Sequence, residues 1–485
     1  MSDPILLPNL VDGCLRAPLA GRYLDVYEPA VGCVFARCPD SAQEDVDAAV
    51  AAAQRASAAW AGTPAETRAR LLNRLADLVE RDLEPLAQLE SRDSGKPVQL
   101  ARELDIPRAV ANLRFFASAI TQWAGESHAT DARTLNYTLR QPIGVVACIS
   151  PWNLPLYLFT WKIAPALAAG NVVVAKPSEI TPCTAARLGE LSIEAGFPQG
   201  VFNIVQGSGP GVGQPLVEHA QVKAISFTGS TRTGAAIAAA AAPRFKKLSL
   251  ELGGKNPAIV FADADLSDAD LDTLVRSGFA NQGEICLCGS RLLVERSIYH
   301  TFKQRYLDKV RALRVGDPEN ASSDLGALVS RAHFDKVIGC IERARAEGGA
   351  ILTGGERVRL DGRCADGWFV APTVIEGLSN ATATNQEEIF GPVVTLIPFD
   401  SEDDAIAIAN GTGYGLAASL WSSSLDRAHR VASKLEFGIV WINCWLVRDL
   451  RTPFGGVKNS GVGREGGVEA LRFFTEAKNV CLRIG

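Results

Sequence analysis

From about residue 143 the chain alternates short, continuous apolar runs with longer stretches of helical period, and this rhythm predicts strands fed by helices. Residues 144–149, 171–175, 201–205, 224–227 and 247–250 read as strands, the first as a short unbroken apolar run, the signature of a strand buried on both faces. Helical stretches at 156–169, at 182–195 and from about Thr231 lie between them. The fold class expected is α/β, with a Rossmann-like doubly wound parallel sheet. After Gly253-Gly254 a second alternating set begins, with strands at 257–261 and 291–295 and helices after Asp265 and over 299–313, so a second α/β domain is expected. Upstream, Ser41-Ala42-Gln43-Glu44 fits a capping box before an Ala-rich helix that runs to about Trp60. Thr63-Pro64 opens another helix through Leu71, Leu75 and Leu78, and a further one follows Asp105-Ile106-Pro107. Residues 121–141 and the tail past 466 are polar and alternate weakly, as in a small extended β arm.

Composition narrows the function. The 485 residues are 47% hydrophobic and 21% charged, ample material for large cores. With 49 Lys and Arg against 54 Asp and Glu, the net charge is −5, and no dense basic run marks a nucleic-acid partner. No apolar run reaches the roughly 20 residues that cross a bilayer. The first residues carry no basic stretch followed by an apolar one, so no secretory signal is expected. Eleven scattered cysteines suit free thiols in the cytoplasm better than a disulfide scaffold. The five histidines are far apart, and no metal site is expected.

Residues able to do chemistry gather where strands end. Phe227-Thr228-Gly229-Ser230-Thr231-Arg232-Thr233-Gly234 closes a strand and opens a helix, so free N–H groups and the helix dipole face any bound anion. A pyrophosphate there is the preferred reading; a tight turn with Ser230 as N-cap is the alternative. Residues 207–213 are also glycine-rich and compete as a phosphate loop, but Val212 stands where the last glycine of G-x-G-x-x-G belongs, and the alternative is a flexible strand-to-helix turn. In Lys176-Pro177-Ser178-Glu179 a carboxylate at a strand end can accept from ribose hydroxyls and repel a 2′-phosphate, which favours NAD over NADP. Its alternative role is to complement a helix dipole. Asn281-Gln282-Gly283-Glu284-Ile285-Cys286-Leu287-Cys288-Gly289 is the one cysteine-bearing turn flanked by glycine and polar residues. A reactive thiol needs surroundings that favour its anion, and a lone cysteine is otherwise an inert buried thiol. Glu251, in Glu251-Leu252-Gly253-Gly254-Lys255, is a general base if the fold brings it to that thiol and an ordinary strand end if not.

Taken together these segments resemble the aldehyde dehydrogenase superfamily. Pro151-Trp152-Asn153, Lys176-Pro177-Ser178-Glu179, Phe227-Thr228-Gly229-Ser230, Glu251 to Lys255, Asn281 to Cys286, Glu387-Glu388-Ile389-Phe390-Gly391-Pro392 and Pro453-Phe454-Gly455-Gly456 stand in the family's order and span nearly the whole chain. The resemblance implies that Cys286 is the nucleophile and Glu251 the base that activates the deacylating water. It implies that the Asn153 amide and the Cys286 N–H hold the oxyanion, and that Glu465 belongs to a proton path. Lys176 and Glu179 match ligands of the adenosine ribose. Ile149, Ser150, Pro151, Trp152, Gly229 and Ser230 match the surroundings of adenosine and pyrophosphate, and Glu388 and Phe390 match contacts of the nicotinamide ribose. The cofactor implied is NAD. Residues 1–120 and 142–251 then form the NAD-binding domain, 252–440 the catalytic domain, and 121–141 with 466–485 an oligomerisation arm of a homodimer or homotetramer. Glu284, where many members carry Gln, and Cys288, a second thiol, depart from the pattern.

Residues 151–157, 279–288 and 443–450 look most like the 2-aminomuconate and 2-hydroxymuconate semialdehyde dehydrogenases, whose substrate already bears a carboxylate. By this likeness Arg108 and Arg448 match a carboxylate-binding pair, a role the guanidinium fork suits. Otherwise Arg448 pairs with Asp449 and Arg108 caps a helix. The alternatives are a broader aliphatic, betaine-type or retinal-type aldehyde dehydrogenase, or a catalytically silent structural protein on the same fold. Glu251 argues against a CoA-acylating relative, and the intact Cys286, Glu251 and Asn153 set argues against a silent one.

Overall fold

Two parallel sheets organise the protein, whose computed structural model describes residues 3–484. Met1 and Ser2, at the head of the expected 1–120 segment and of the start read for a secretory signal, and Gly485, at the end of the expected arm, lie outside the described residues. The first sheet runs, edge to edge, Gly461–Val462, Lys247–Glu251, Val222–Thr228, Val145–Ile149, Val172–Lys176, Phe202–Ile204, Asn9–Val11 and Cys14–Arg16. Its five central strands are parallel. All residues of Val145–Ile149 and Val172–Lys176 are buried, as continuous apolar runs require. Winding reverses between Val145–Ile149 and Val222–Thr228, and a crevice opens at such a reversal beyond the carboxyl ends of the strands.

The second sheet runs Ala350–Thr353, Thr373–Glu376, Val393–Phe399, Arg291–Glu295, Pro257–Val260, Ala417–Trp421 and Ile439–Ile442, antiparallel only at its first pair. Its strands serve two cores. Ala258, Val260, Leu292 and Val294 face one cluster, while Ile259 and Leu293 face the other, the alternation a pleated strand imposes. A third sheet joins Ser127–Asp131, Thr134–Pro142 and Thr475–Arg483, the last two paired over nine residues from Thr475↔Pro142 to Arg483↔Thr134.

Several elements differ from the sequence reading. The first helix spans Gln43–Ala61 with Ala42, not Ser41, as its N-cap. The Asp45 carboxylate accepts from the Ala42 N–H, while the Ser41 hydroxyl accepts from Nδ2 of Asn9 instead. Leu83–Ser94 is a helix that the apolar spacing did not announce. The tail past 466 is not extended throughout: Gly467–Phe473 is helical before the arm strand begins. The 207–213 segment forms a tight helical turn, Gly209–Gly213, with the Ser208 hydroxyl accepting from the Gly211 N–H. Gly461–Val462, from a stretch given to no domain, closes the edge of the first sheet against Lys247–Glu251. Among the described residues no helix is long and apolar enough to cross a membrane.

Candidate active site

The turn bearing Cys286 is held open by its backbone. After the helix Asp268–Phe279, residues Asn281, Gln282 and Gly283 all take left-handed conformations, with φ of 52°, 55° and 74°. A Cβ at Gly283 would lie 2.1 Å from the Gly391 oxygen, so only glycine fits there. Nδ2 of Asn256 then clasps the far side, donating to the Cys286 oxygen at 2.7 Å and to the Cys288 oxygen at 3.0 Å. Cys286 is left partly exposed, whereas Cys288 is buried and its thiol is pushed up to about 12 by that burial.

Two cavities meet at Cys286 and Thr228. One gathers Glu251, Arg108, Arg448 and Glu465 with Tyr157, Leu158, Leu446 and Phe454. The other, beyond the switch point of the first sheet, gathers Pro151, Trp152, Asn153, Gly229, Ser230, Glu388 and Phe390, and adds His333 and Lys336. Stretches between 108 and 465 in the sequence thus converge on one thiol.

Charge in the first cavity is poised toward protonation. Both oxygens of Glu251 are buried without a hydrogen-bond partner. Burial, and then the nearby Glu465, push its carboxyl well above the usual range, and the Lys162 ammonium opposes them. Burial likewise pushes the Cys286 thiol up, helped by Glu388 and Glu251. Glu465 accepts from Nζ of Lys162 at 2.8 Å and from the Ser226 hydroxyl at 3.1 Å.

Arg448 is not taken by Asp449, which binds Arg451 at 2.5 Å. Instead its Nη1 donates to the Tyr157 hydroxyl at 3.0 Å, and its guanidinium lies 3.9 Å from the Phe454 ring centre and 5.0 Å from that of Trp161. Arg108, in the first turn of the helix Ile106–Thr121, stands 5.8 Å from the Tyr157 ring. Among the described residues neither arginine has a carboxylate partner, so both are free to meet one.

The second cavity has the donors and planes a dinucleotide needs. The helix Thr231–Ala241 starts at its edge, with the Ser230 hydroxyl accepting from the Thr233 N–H, so Ser230 is both N-cap and cavity wall. Trp152 packs edge-on to Phe390 at 5.2 Å and beside His333 at 5.0 Å. Nε2 of His333 lies 2.6 Å from the Phe390 oxygen, and burial pulls the ring down to about 4, so it is neutral and donates there. The buried Glu388 accepts from the Gly254 N–H at 2.9 Å. Nδ2 of Asn153 donates to the Glu284 oxygen at 2.8 Å, which sets the amide against the thiol turn. Glu284 itself is buried, accepts from the Val329 N–H and faces His333 at 3.6 Å. Lys176 and Glu179 pair at 3.0 Å, and neither they nor Ile149 and Ser150, expected at the cofactor, are among the residues that line this cavity.

Lys162, Tyr157, His333 and Lys336 are site residues that the sequence reading missed. Lys162 had a signal: it is the only charged residue in the wholly buried helix Pro155–Ala168. Tyr157 lies in the 151–157 stretch singled out above, whereas His333 and Lys336 stand in mixed surroundings and offered no signal.

Comparison with known proteins identifies the family. Residues 17–480 match the Aldehyde dehydrogenase family. The chain is similar to the 2-aminomuconic semialdehyde dehydrogenase of Bos taurus, 51% identical over 482 residues, which cover 99% of this chain and 98% of that protein. It is also similar to the 2-hydroxymuconic semialdehyde dehydrogenase of Pseudomonas sp. (strain CF600), 46% identical with 99% of each chain covered. The structure of an aldehyde dehydrogenase from Bacillus cereus in complex with NAD+ superposes with a TM-score of 0.96 at 40% identity, covering 99% of this chain and 97% of that one.

Proposed function

We infer the substrate and the residue roles from one premise, that the chain belongs to the aldehyde dehydrogenase family and is an oxidoreductase acting on aldehydes. The substrate is a carboxylated semialdehyde of the 2-aminomuconate or 2-hydroxymuconate type, oxidised to the dicarboxylic acid with NAD. One observation carries this reading: Cys286 and Glu251 share a cavity with two arginines that have no carboxylate partner among the described residues, while a second cavity reaches the same thiol from the sheet's switch point.

The second cavity fits a dinucleotide. A helix N-terminus and Gly229 suit pyrophosphate, Trp152 and Phe390 offer aromatic walls, and Glu388 with Lys336 offers partners for ribose hydroxyls. Glu179, close to Lys176, suits NAD better than NADP. When bound, the nicotinamide supplies the two-electron acceptor.

The rest is chemistry of this chain. Glu251, in the same cavity, takes the proton of the Cys286 thiol and relays it to Glu465, and the sulfur adds to the aldehyde carbon, placing negative charge on the former carbonyl oxygen. The Asn153 amide and the Cys286 N–H hold that oxygen. Arg108 and Arg448 hold the far carboxylate and so fix the direction in which the aldehyde presents its carbon. Oxidation of the thiohemiacetal leaves a thioester on Cys286. Glu251, buried and short of partners, takes a proton from water, and the hydroxide cleaves that thioester to the acid. Glu465, which accepts from Lys162 and lines the same cavity as Glu251, passes that proton on.

In this reading residues 1–120 and 142–251 serve the cofactor and 252–440 carry the thiol. The 121–141 and 466–485 segments pair with a second copy to make a homodimer or homotetramer, which sedimentation would distinguish. All eleven cysteines are free, which suits the cytoplasm. Cys286→Ala tests the core of the scheme. No NADH should form from the semialdehyde, and appreciable residual turnover would remove Cys286 from the nucleophile's role.

A further inference from the structure

Lys96 lies outside every motif named above, yet it touches the back of the site. Its side chain is buried, and its Nζ pairs with the equally buried Asp105. The same Nζ donates to the main-chain oxygen of Asn153 at 3.0 Å. That oxygen also accepts from Nδ2 of Asn281 at 3.1 Å. Nδ2 of Asn281 in turn reaches the Glu284 oxygen at 3.1 Å, the atom on which the Asn153 amide rests. Lys96 and Asn281 therefore pin the backbone of Asn153, and the shared Glu284 oxygen places its amide two residues from Cys286.

Asp105 leads to the other end of the substrate. It closes a π-helical turn, Ala101–Asp105, that runs into the helix Ile106–Thr121. Such turns re-aim side chains and are frequent at functional sites. Leu104, in the turn, and Arg108, three residues past Asp105, both line the cavity that holds Cys286. A single ion pair thus joins the segment carrying the oxyanion amide to the segment carrying a carboxylate-binding arginine.

Stability does not account for this pair. Two charges are removed from water, and Oδ1 of Asp105 has no partner at all. Buried pairs of this kind are often replaced by apolar side chains at no cost to folding. What an apolar pair would not supply is the donor to the Asn153 oxygen and the fixed offset between the two segments.

We propose that Lys96 and Asp105 are positioning residues, a buried strut that sets the distance between the oxyanion amide of Asn153 and the guanidinium of Arg108, and so the length of semialdehyde the enzyme accepts. The Arg108 half of this inference rests on the substrate reading given under the proposed function; the Asn153 half requires only an aldehyde.

The test compares wild type with K96M and with K96M/D105L, which removes both members of the ion pair together. Four quantities are measured: kcat with propanal, the ratio of kcat/KM for the carboxylated semialdehyde over propanal, KM for NAD, and Tm. The double variant should fold with a Tm close to that of wild type and keep its KM for NAD. Its kcat with propanal should fall about 10- to 100-fold, since a displacement of about 1 Å can cost about 10²-fold. Its preference for the carboxylated substrate should fall about tenfold more. A folded double variant with wild-type kcat on propanal and an unchanged ratio overturns the strut, as does one that loses Tm, NAD affinity and kcat in step. A lowered kcat with an unchanged ratio overturns the length-setting role. If wild type itself does not prefer the carboxylated aldehyde, the substrate reading fails, and kcat with propanal still decides whether Lys96 positions Asn153.

Discussion

Nη1 of Arg448 donates to the hydroxyl of Tyr157 at 3.0 Å, and the ring of the same tyrosine faces Arg108 at 5.8 Å. Tyr157 therefore stands between the two guanidiniums and orients one of them. Phe454 and Trp161 hold the Arg448 guanidinium from other sides, so its direction does not depend on a carboxylate of the protein. Tyr157→Phe should raise KM for a carboxylated semialdehyde about tenfold, the scale of one hydrogen bond to a charged group. Arg448→Ala should raise it further and change propanal little. Equal effects on the two aldehydes, measured by initial rates, would count against a carboxylate site here.

Asn153 keeps one amide N–H on the Glu284 oxygen, at 2.8 Å, and has a second for the developing oxyanion. Asn153→Ala removes that donor without touching the cofactor's aromatic walls. The expected loss is about 10²–10³ in kcat with little change in NAD affinity. A fluorescence titration with NAD beside steady-state kinetics separates the two, and an intact kcat would assign the oxyanion elsewhere.

Glu251 carries a pH signature. Its unfolded carboxyl titrates near 4.5, and burial raises it well above that in the fold. Between the two values the folded protein holds a proton that the unfolded chain has lost. Stability contributed by this group is therefore full below the ordinary value and declines as pH rises through the interval. Glu251→Gln cannot lose that proton. It should melt with wild type in acid and above it at mildly alkaline pH, while its turnover drops because no base remains for the thioester. Melting curves that run parallel at every pH would refute the raised carboxyl.

The parts of this site that were legible in the sequence are those whose chemistry or period is local. Val145–Ile149 and Val172–Lys176 show as apolar runs because both faces are buried. Cys286, Glu251 and Asn153 stand in short motifs whose order alone marks the family. What stayed hidden depends on distant partners. Lys162 meets Glu465 across 303 residues, and nothing near either position announces the other. Lys96 reads as a surface lysine until the fold buries it against Asp105 and Asn153. The helix Leu83–Ser94 escaped because its buried side carries Glu90, Ser91, Asp93 and Ser94, which break an apolar period while still facing inward. Ser41 looked like a helix cap, but its hydroxyl accepts from Asn9 and the helix begins one residue later, where Asp45 accepts from the Ala42 N–H.

The proposed preference for NAD over NADP rests on the charge of Glu179. It sits within 3.0 Å of the Lys176 ammonium, with its side chain 34% exposed while that of Lys176 is 4% exposed. The pair lies at the carboxyl end of a central strand, where doubly wound sheets take the ribose of a nucleotide. A free 2′-hydroxyl can donate to this carboxylate, whereas a 2′-phosphate would bring like charge against it, a juxtaposition that costs several kcal/mol. Glu179→Ser removes the repulsion and leaves Lys176 without its carboxylate partner, ready to receive a phosphate. The ratio of kcat/KM for NAD over NADP should then fall by about tenfold or more, through both a weaker NAD term and a stronger NADP one. Initial rates with each cofactor at saturating aldehyde measure it directly. An unchanged ratio would mean that Glu179 serves only to neutralise Lys176, and that cofactor choice is made elsewhere in the cleft.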